Sequence, residues 1–108
     1  MMSDEVDVLR PQGRLDGESS PELAQQALEM IDRGSRRLLL DFRDLYYMSS
    51  AGLRAALAVA KRMSEAGGRV AICSANPQVA EVFDVGGFVS VFDMHSSAES
   101  ATARLSED

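Results

Sequence analysis

The run Arg-Arg-Leu-Leu-Leu-Asp-Phe at positions 36–42 most restricts the folds open to this chain. Three consecutive leucines fenced by charge are too short to hold a helix, and they leave no polar face for water. They read as a strand covered on both sides. "RVAICSA", from Arg69 to Ala75, repeats the pattern, and "FVSVFDM", from Phe88 to Met94, gives a further short strand.

Helical patterns fill the intervals. Ser20 is expected to cap a first helix with Pro21 at its first position, and Leu23, Ala27, Met30 and Ile31 recur at helical spacing until Gly34. A second helix carries Leu53, Leu57, Ala60 and Met63, with Ala56 and Val59, and stops at Gly67 and Gly68. Asn76 and Pro77 open a third, with Val79, Val82 and Phe83 as its apolar face and Gly86 and Gly87 at its end. Ser96 with Glu99 forms a capping-box pattern for a last helix through Ala101 and Leu105. At the start, Val6 to Leu9 partly alternate, and "PQG" reads as a turn into a short strand around Arg14 and Leu15, a hairpin.

Strands separated by helices need crossover connections, which makes neighbouring strands parallel. The expected class is therefore α/β: one domain over residues 1–108 with a core of 5–105, a mixed sheet with the N-terminal hairpin at one side, and about four helices. A hydrophobic fraction of 45% with 26% charged residues can bury such a core. The net charge is −6 and the basic residues lie singly or in pairs (Arg36 and Arg37, Lys61 and Arg62), so direct nucleic acid binding is not expected. Cys73 is the only cysteine, which excludes an internal disulfide and fits a cytoplasmic protein. The opening "MMSDEVDVLR" lacks the basic and then apolar pattern of a secretory signal, and no run suits membrane insertion.

Chemistry concentrates at the joint after the leucine run, where Ser49 and Ser50 precede Ala51, Gly52 and the second helix. A hydroxyl there can cap the free amides at a helix start. One cap accounts for one serine. The other hydroxyl lies where the helix end favours phosphate, so phosphorylation stands beside capping as a reading. S-S-A-G is not the G-x-S-x-G elbow of a serine hydrolase, and the sole histidine, His95, reads as a surface loop residue, so no catalytic residue is expected. Asp16, Asp41 and Asp44 read as solvated or capping carboxylates and not as a metal site. Cys73 reads as an inert core thiol, and no phosphate-binding glycine loop or other cofactor motif is present.

Three ordered segments, "GRLDGESSPEL", "RRLLLDFRDLYYMSSAGLRAAL" and "GGRVAICSANPQVAEVFDVGGFVSVFDM", resemble a stand-alone STAS domain of the bacterial anti-sigma factor antagonist family. The resemblance implies binding to an anti-sigma factor that is also a serine kinase. Phosphorylation weakens that binding, and a serine phosphatase restores it. Many members carry D-S-S-G or D-S-T-G, with the phosphoacceptor just before the glycine. Here Ser49, Ser50 and Ala51 stand in those places, so the usual hydroxyl is an alanine. Ser50 becomes the expected acceptor, with Ser49 second, or the switch is lost. Asp16 matches the aspartate of the family's G-x-L-D segment. The implied partner-binding set is Asp16, Ser49, Ser50, Ala51, Gly52 and Arg54. Arg43 and Arg54 either neutralise a phosphate, meet the partner or are plain exposed charges. The alternative is a STAS accessory subunit docked on the ATPase of an ABC lipid transporter, without phosphorylation.

Overall fold

The computed structural model describes residues 5–88 and 92–107. In chain order the elements are β1 (Asp7–Leu9), β2 (Gly13–Leu15), α1 (Ser20–Asp32), β3 (Arg37–Asp41), β4 (Leu45–Met48), α2 (Ser50–Glu65), β5 (Arg69–Cys73), α3 (Pro77–Val85), β6 (Asp93–His95) and α4 (Ala98–Leu105). The main sheet has the order β1-β3-β5-β6, a second sheet pairs β2 with β4, and every pairing among the described strands is parallel.

The leucine run is buried on both faces because a different layer covers each. Successive strand residues point to opposite sides. Leu38 and Leu40, with Val70 and Ile72 beside them, enter a large core with Leu23, Ala27 and Ile31 of α1, Ala56, Val59 and Met63 of α2, and Val79 and Phe83 of α3. Leu39, Ala71 and Cys73 face the other way and meet Ala101 and Leu105 of α4. Each fully buried leucine contributes roughly 1.5–3 kcal/mol. Phe83 joins α3 to the sheet, with ring centroids 6.4 Å from Phe42 and 5.1 Å from Phe92.

The expected N-terminal hairpin is not formed. Leu9 of β1 lies beside Leu40, while Gly13 of β2 lies beside Leu45 in the other sheet. The chain sidesteps at Arg10–Gln12 instead of reversing, and the β3–β4 segment sidesteps in parallel with it. Arg10 Nε meets Asp44 Oδ2 at 2.8 Å and Gly13 N donates to Asp44 O at 2.9 Å, which ties the two kinks together. Gly13 has φ of 79°, a left-handed conformation that a side chain would strain. A Pro-Gln-Gly signal marks a break in direction; whether the chain reverses or sidesteps depends on which strands lie alongside.

Strand β4 was not expected, since "LYYM" reads as part of the approach to α2. Ser19, not Ser20, is the N-cap residue of α1, and Ser97, not Ser96, caps α4, its Oγ accepting from Ser100 N at 3.1 Å. Asn76 caps α3 as expected, Oδ1 accepting from Val79 N at 2.9 Å. Residues 89–91 of the expected "FVSVFDM" strand lie outside the described residues. Among the described residues no helix is long and apolar enough to cross a membrane.

Candidate functional site

The serine joint lies where β4 ends and α2 begins, against the end of β2. Ser49 is the N-cap residue by position, extended at φ −96° and ψ 176°, and its carbonyl accepts from Leu53 N at 3.1 Å. Its N–H donates to Leu15 O at 3.0 Å, carrying the β2–β4 pairing one residue further, and its hydroxyl leans on the same carbonyl at 3.4 Å. It makes no side-chain cap bond to α2. The capping reading of these serines is therefore corrected: the β2 carbonyl competes for the hydroxyl. Ser50 is the first residue of α2 and is exposed, and Ala51 behind it is half-buried.

Gly52 is buried for a geometric reason. A Cβ there would stand 2.6 Å from Leu15 O and 3.0 Å from Met48 Cγ. Only a residue without a side chain lets α2 start this close to β2.

Asp16 follows Leu15 directly, so it flanks the joint, but its carboxylate serves its own turn. Oδ1 accepts from Glu18 N at 3.0 Å and Ser19 N at 3.2 Å, and Arg14 Nε approaches Oδ2 at 3.4 Å. The two backbone N–H groups, with Arg14 and the Ser19 hydroxyl adding to them, hold the carboxyl below its usual range. It makes no hydrogen bond to Ser49 or Ser50 among the described residues.

The two arginines separate. Arg43 is committed to Asp41, with Nη2 2.9 Å from Oδ2, so it is not a free phosphate ligand. Arg54, one turn beyond Ser50, is exposed and has no ion pair among the described residues.

The STAS domain family model matches residues 2–101. The chain belongs to the STAS domain family. BtrV of Bordetella bronchiseptica, a proposed anti-sigma factor antagonist, is 39% identical over 92 residues, 85% of this chain and 79% of BtrV. The anti-sigma F factor antagonist of Paenibacillus polymyxa is 28% identical over 99 residues, 91% of this chain and 85% of its own. Among solved structures, the anti-sigma factor antagonist SpoIIAA in its unphosphorylated form matches with a TM-score of 0.82 at 24% identity, covering 96% of this chain and 90% of that one. Bacillus SpoIIAA in the phosphorylated form matches with a TM-score of 0.74 at 23% identity, covering 96% and 94%.

In this STAS domain the site has a second wall that sequence reasoning missed. Gln78 of α3 pairs with the backbone of Met48 in both directions, Met48 N donating to Oε1 at 3.0 Å and Nε2 donating to Met48 O at 3.3 Å. Asn76 Nδ2 donates to Leu45 O at 3.1 Å. Two side chains of the α3 start thus occupy the outer edge of β4, where another strand would otherwise pair. No local pattern signals a side-chain amide that serves a strand 30 residues away. Gln78→Ala is expected to lower stability by about 1 kcal/mol by stranding the Met48 groups, read from the shift of a urea midpoint.

Asp41, buried at the end of β3, shows how its charge is kept. Burial pushes its pKa up, but the Arg43 side-chain and backbone hydrogen bonds outweigh it and the net shift is downward from 3.8. A depressed carboxyl stabilises the fold above its ordinary pKa, and that contribution disappears as pH falls through the lower folded value. Asp41→Asn is expected to cost about 1 kcal/mol near neutrality, modest because Arg43 is half-exposed. The difference from wild type should shrink as pH falls below 3.8, checked by urea titrations across the acid range. Burial also raises the pKa of Cys73, in keeping with an inert thiol. His95 is not in a loop: it lies in β6 with Nδ1 2.7 Å from Ser100 Oγ, and Nε2 lies 3.1 Å from Asp93 Oδ2 without hydrogen-bond alignment.

Proposed function

We propose that this STAS domain is an anti-sigma factor antagonist, a binding module and not a catalyst, switched by phosphorylation of Ser50. The observation that carries the reading is Ser50 itself: an exposed hydroxyl in the first turn of α2, beside an N-cap residue whose side chain leaves the helix amides uncapped. A helix start favours a phosphate through its free N–H groups and positive dipole end. Two relatives are described as anti-sigma factor antagonists, and SpoIIAA, of the same fold, has a phosphorylated form.

The partner of this reading is an anti-sigma factor that is also a serine kinase, and a serine phosphatase resets the switch. A phosphoserine adds about −1.5 to −2 charges, and covering that charge with a docked protein costs several kcal/mol unless a cation meets it. Asp16, Ser49, Ala51, Gly52 and Arg54 complete the proposed contact surface. Ser49 is the weaker acceptor because its hydroxyl is turned to Leu15 O.

The test is incubation with ATP and the HATPase-type serine kinases of the source cell, followed by phosphopeptide mapping and pull-down. Phosphate on Ser50 and retention of one kinase are expected. No phosphate on Ser49 or Ser50, with no kinase retained, ends the reading. Ala51 in the usual acceptor place favours a second one, the unphosphorylated accessory subunit of an ABC lipid transporter, which a co-purifying transporter ATPase would establish.

A further inference from the structure

Beside Ser50 runs a groove of about 420 Å³ between α2 and α3, lined chiefly by apolar surface. Leu53 forms one wall, Val82 and Val85 the other, and Ser50 and Glu81 stand at its rim. The exposure of Val85 is the unusual feature. The buried face of α3 is Val79 and Phe83, whereas Val85 leaves 77% of its surface in water at the lip of the groove.

Charge around the groove is divided. On the α3 side Glu81 and, one turn on, Asp84 are exposed and lack ion pairs among the described residues. On the α2 side Arg54, next to Leu53, is likewise exposed and unpaired among them. An apolar cleft with unlike charges on its two sides suits one partner pattern: an apolar anchor with a base on one flank and an acid on the other. A second copy of the chain fits less well, because its net charge is −6.

Resting on the antagonist reading, we infer that this groove seats an apolar side chain of the anti-sigma partner, with a partner base facing Glu81 and Asp84 and a partner acid facing Arg54. The same arrangement gives the direction of the switch. Arg54 is four residues after Ser50, within reach of a phosphate on it. A phosphate there takes Arg54 from the partner's acid and reverses the sign of the α2 side, while its hydration shell stands at the mouth of the apolar seat.

The experiment measures affinity of the purified kinase retained in the pull-down for wild type, Val85→Asp, Glu81→Lys and Arg54→Glu, with Val8→Asp on β1 as the control. Val85, Glu81 and Arg54 are exposed, so melting curves like that of wild type are expected. Each groove variant should weaken binding at least tenfold and the control should not. Groove variants that bind like wild type, while Ser50 phosphorylation still releases the partner, overturn the groove and leave the antagonist reading standing. Failure of every kinase to bind wild type overturns both. If sedimentation shows a wild-type dimer that Val85→Asp dissociates, the occupant is a second copy and the inference falls.

Discussion

Gly52→Ala is expected to lower the stability of the domain by about 1–3 kcal/mol, the usual cost of forcing atoms into a filled site, and Gly52→Val by more. The sign is the informative part. In a helix alanine is favoured over glycine by about 1 kcal/mol, so without the contact the substitution would stabilise. The added Cβ would lie 2.6 Å from Leu15 O, a backbone atom that cannot swing aside, because the same carbonyl accepts from Ser49 N. Relief requires moving the start of α2 away from β2, and with it the serine joint. Gly17, whose added Cβ would meet nothing within 4 Å, is the matched control. Urea unfolding of the two alanine variants decides the matter; a Gly52→Ala protein as stable as wild type would show that α2 need not start against β2.

Stoichiometric phosphorylation of Ser50 is expected to weaken binding of the kinase partner by a hundredfold or more. The estimate follows from the several kcal/mol needed to cover a dianion, with each 1.4 kcal/mol worth about tenfold in affinity. Ser50→Asp carries only one charge and lacks the phosphate's extra oxygens, so about a tenfold loss is expected of it. Ser50→Ala should bind as wild type and fail to release on addition of ATP. Arg43 will not blunt the effect, since it is held by Asp41 at 2.9 Å. Titration calorimetry with phosphorylated and unphosphorylated protein provides the measurement. Equal affinities for the two forms would mean that the partner does not cover this corner.

Legibility varied with the range of the interaction. The Asn76 cap was readable because donor and acceptor lie three residues apart, and the bond to Val79 N is present at 2.9 Å. The capping role expected of the serine joint failed for the opposite reason. The carbonyl that holds the Ser49 hydroxyl belongs to Leu15, 34 residues away, and no local pattern reports such a competitor. The same distance hid the α3 wall of the site. Gln78 looked like any exposed helix residue until β4 was found beside it, and β4 itself went unseen because Leu45–Met48 shows no clean alternation.

Composition and periodicity by themselves determined the α/β class, the four helices and a leucine strand sealed on both faces, because burial of apolar surface at a period of two or 3.6 residues is a local property of the chain. The tertiary structure alone decided that β1 and β2 sidestep into separate parallel sheets, that Ser49 turns to Leu15 while Ser50 stays open, and that Val85 stands uncovered beside it. Those outcomes depend on which distant carbonyls and side chains arrive at a given point, and a hydrogen bond or a steric contact exists only once both partners are in place.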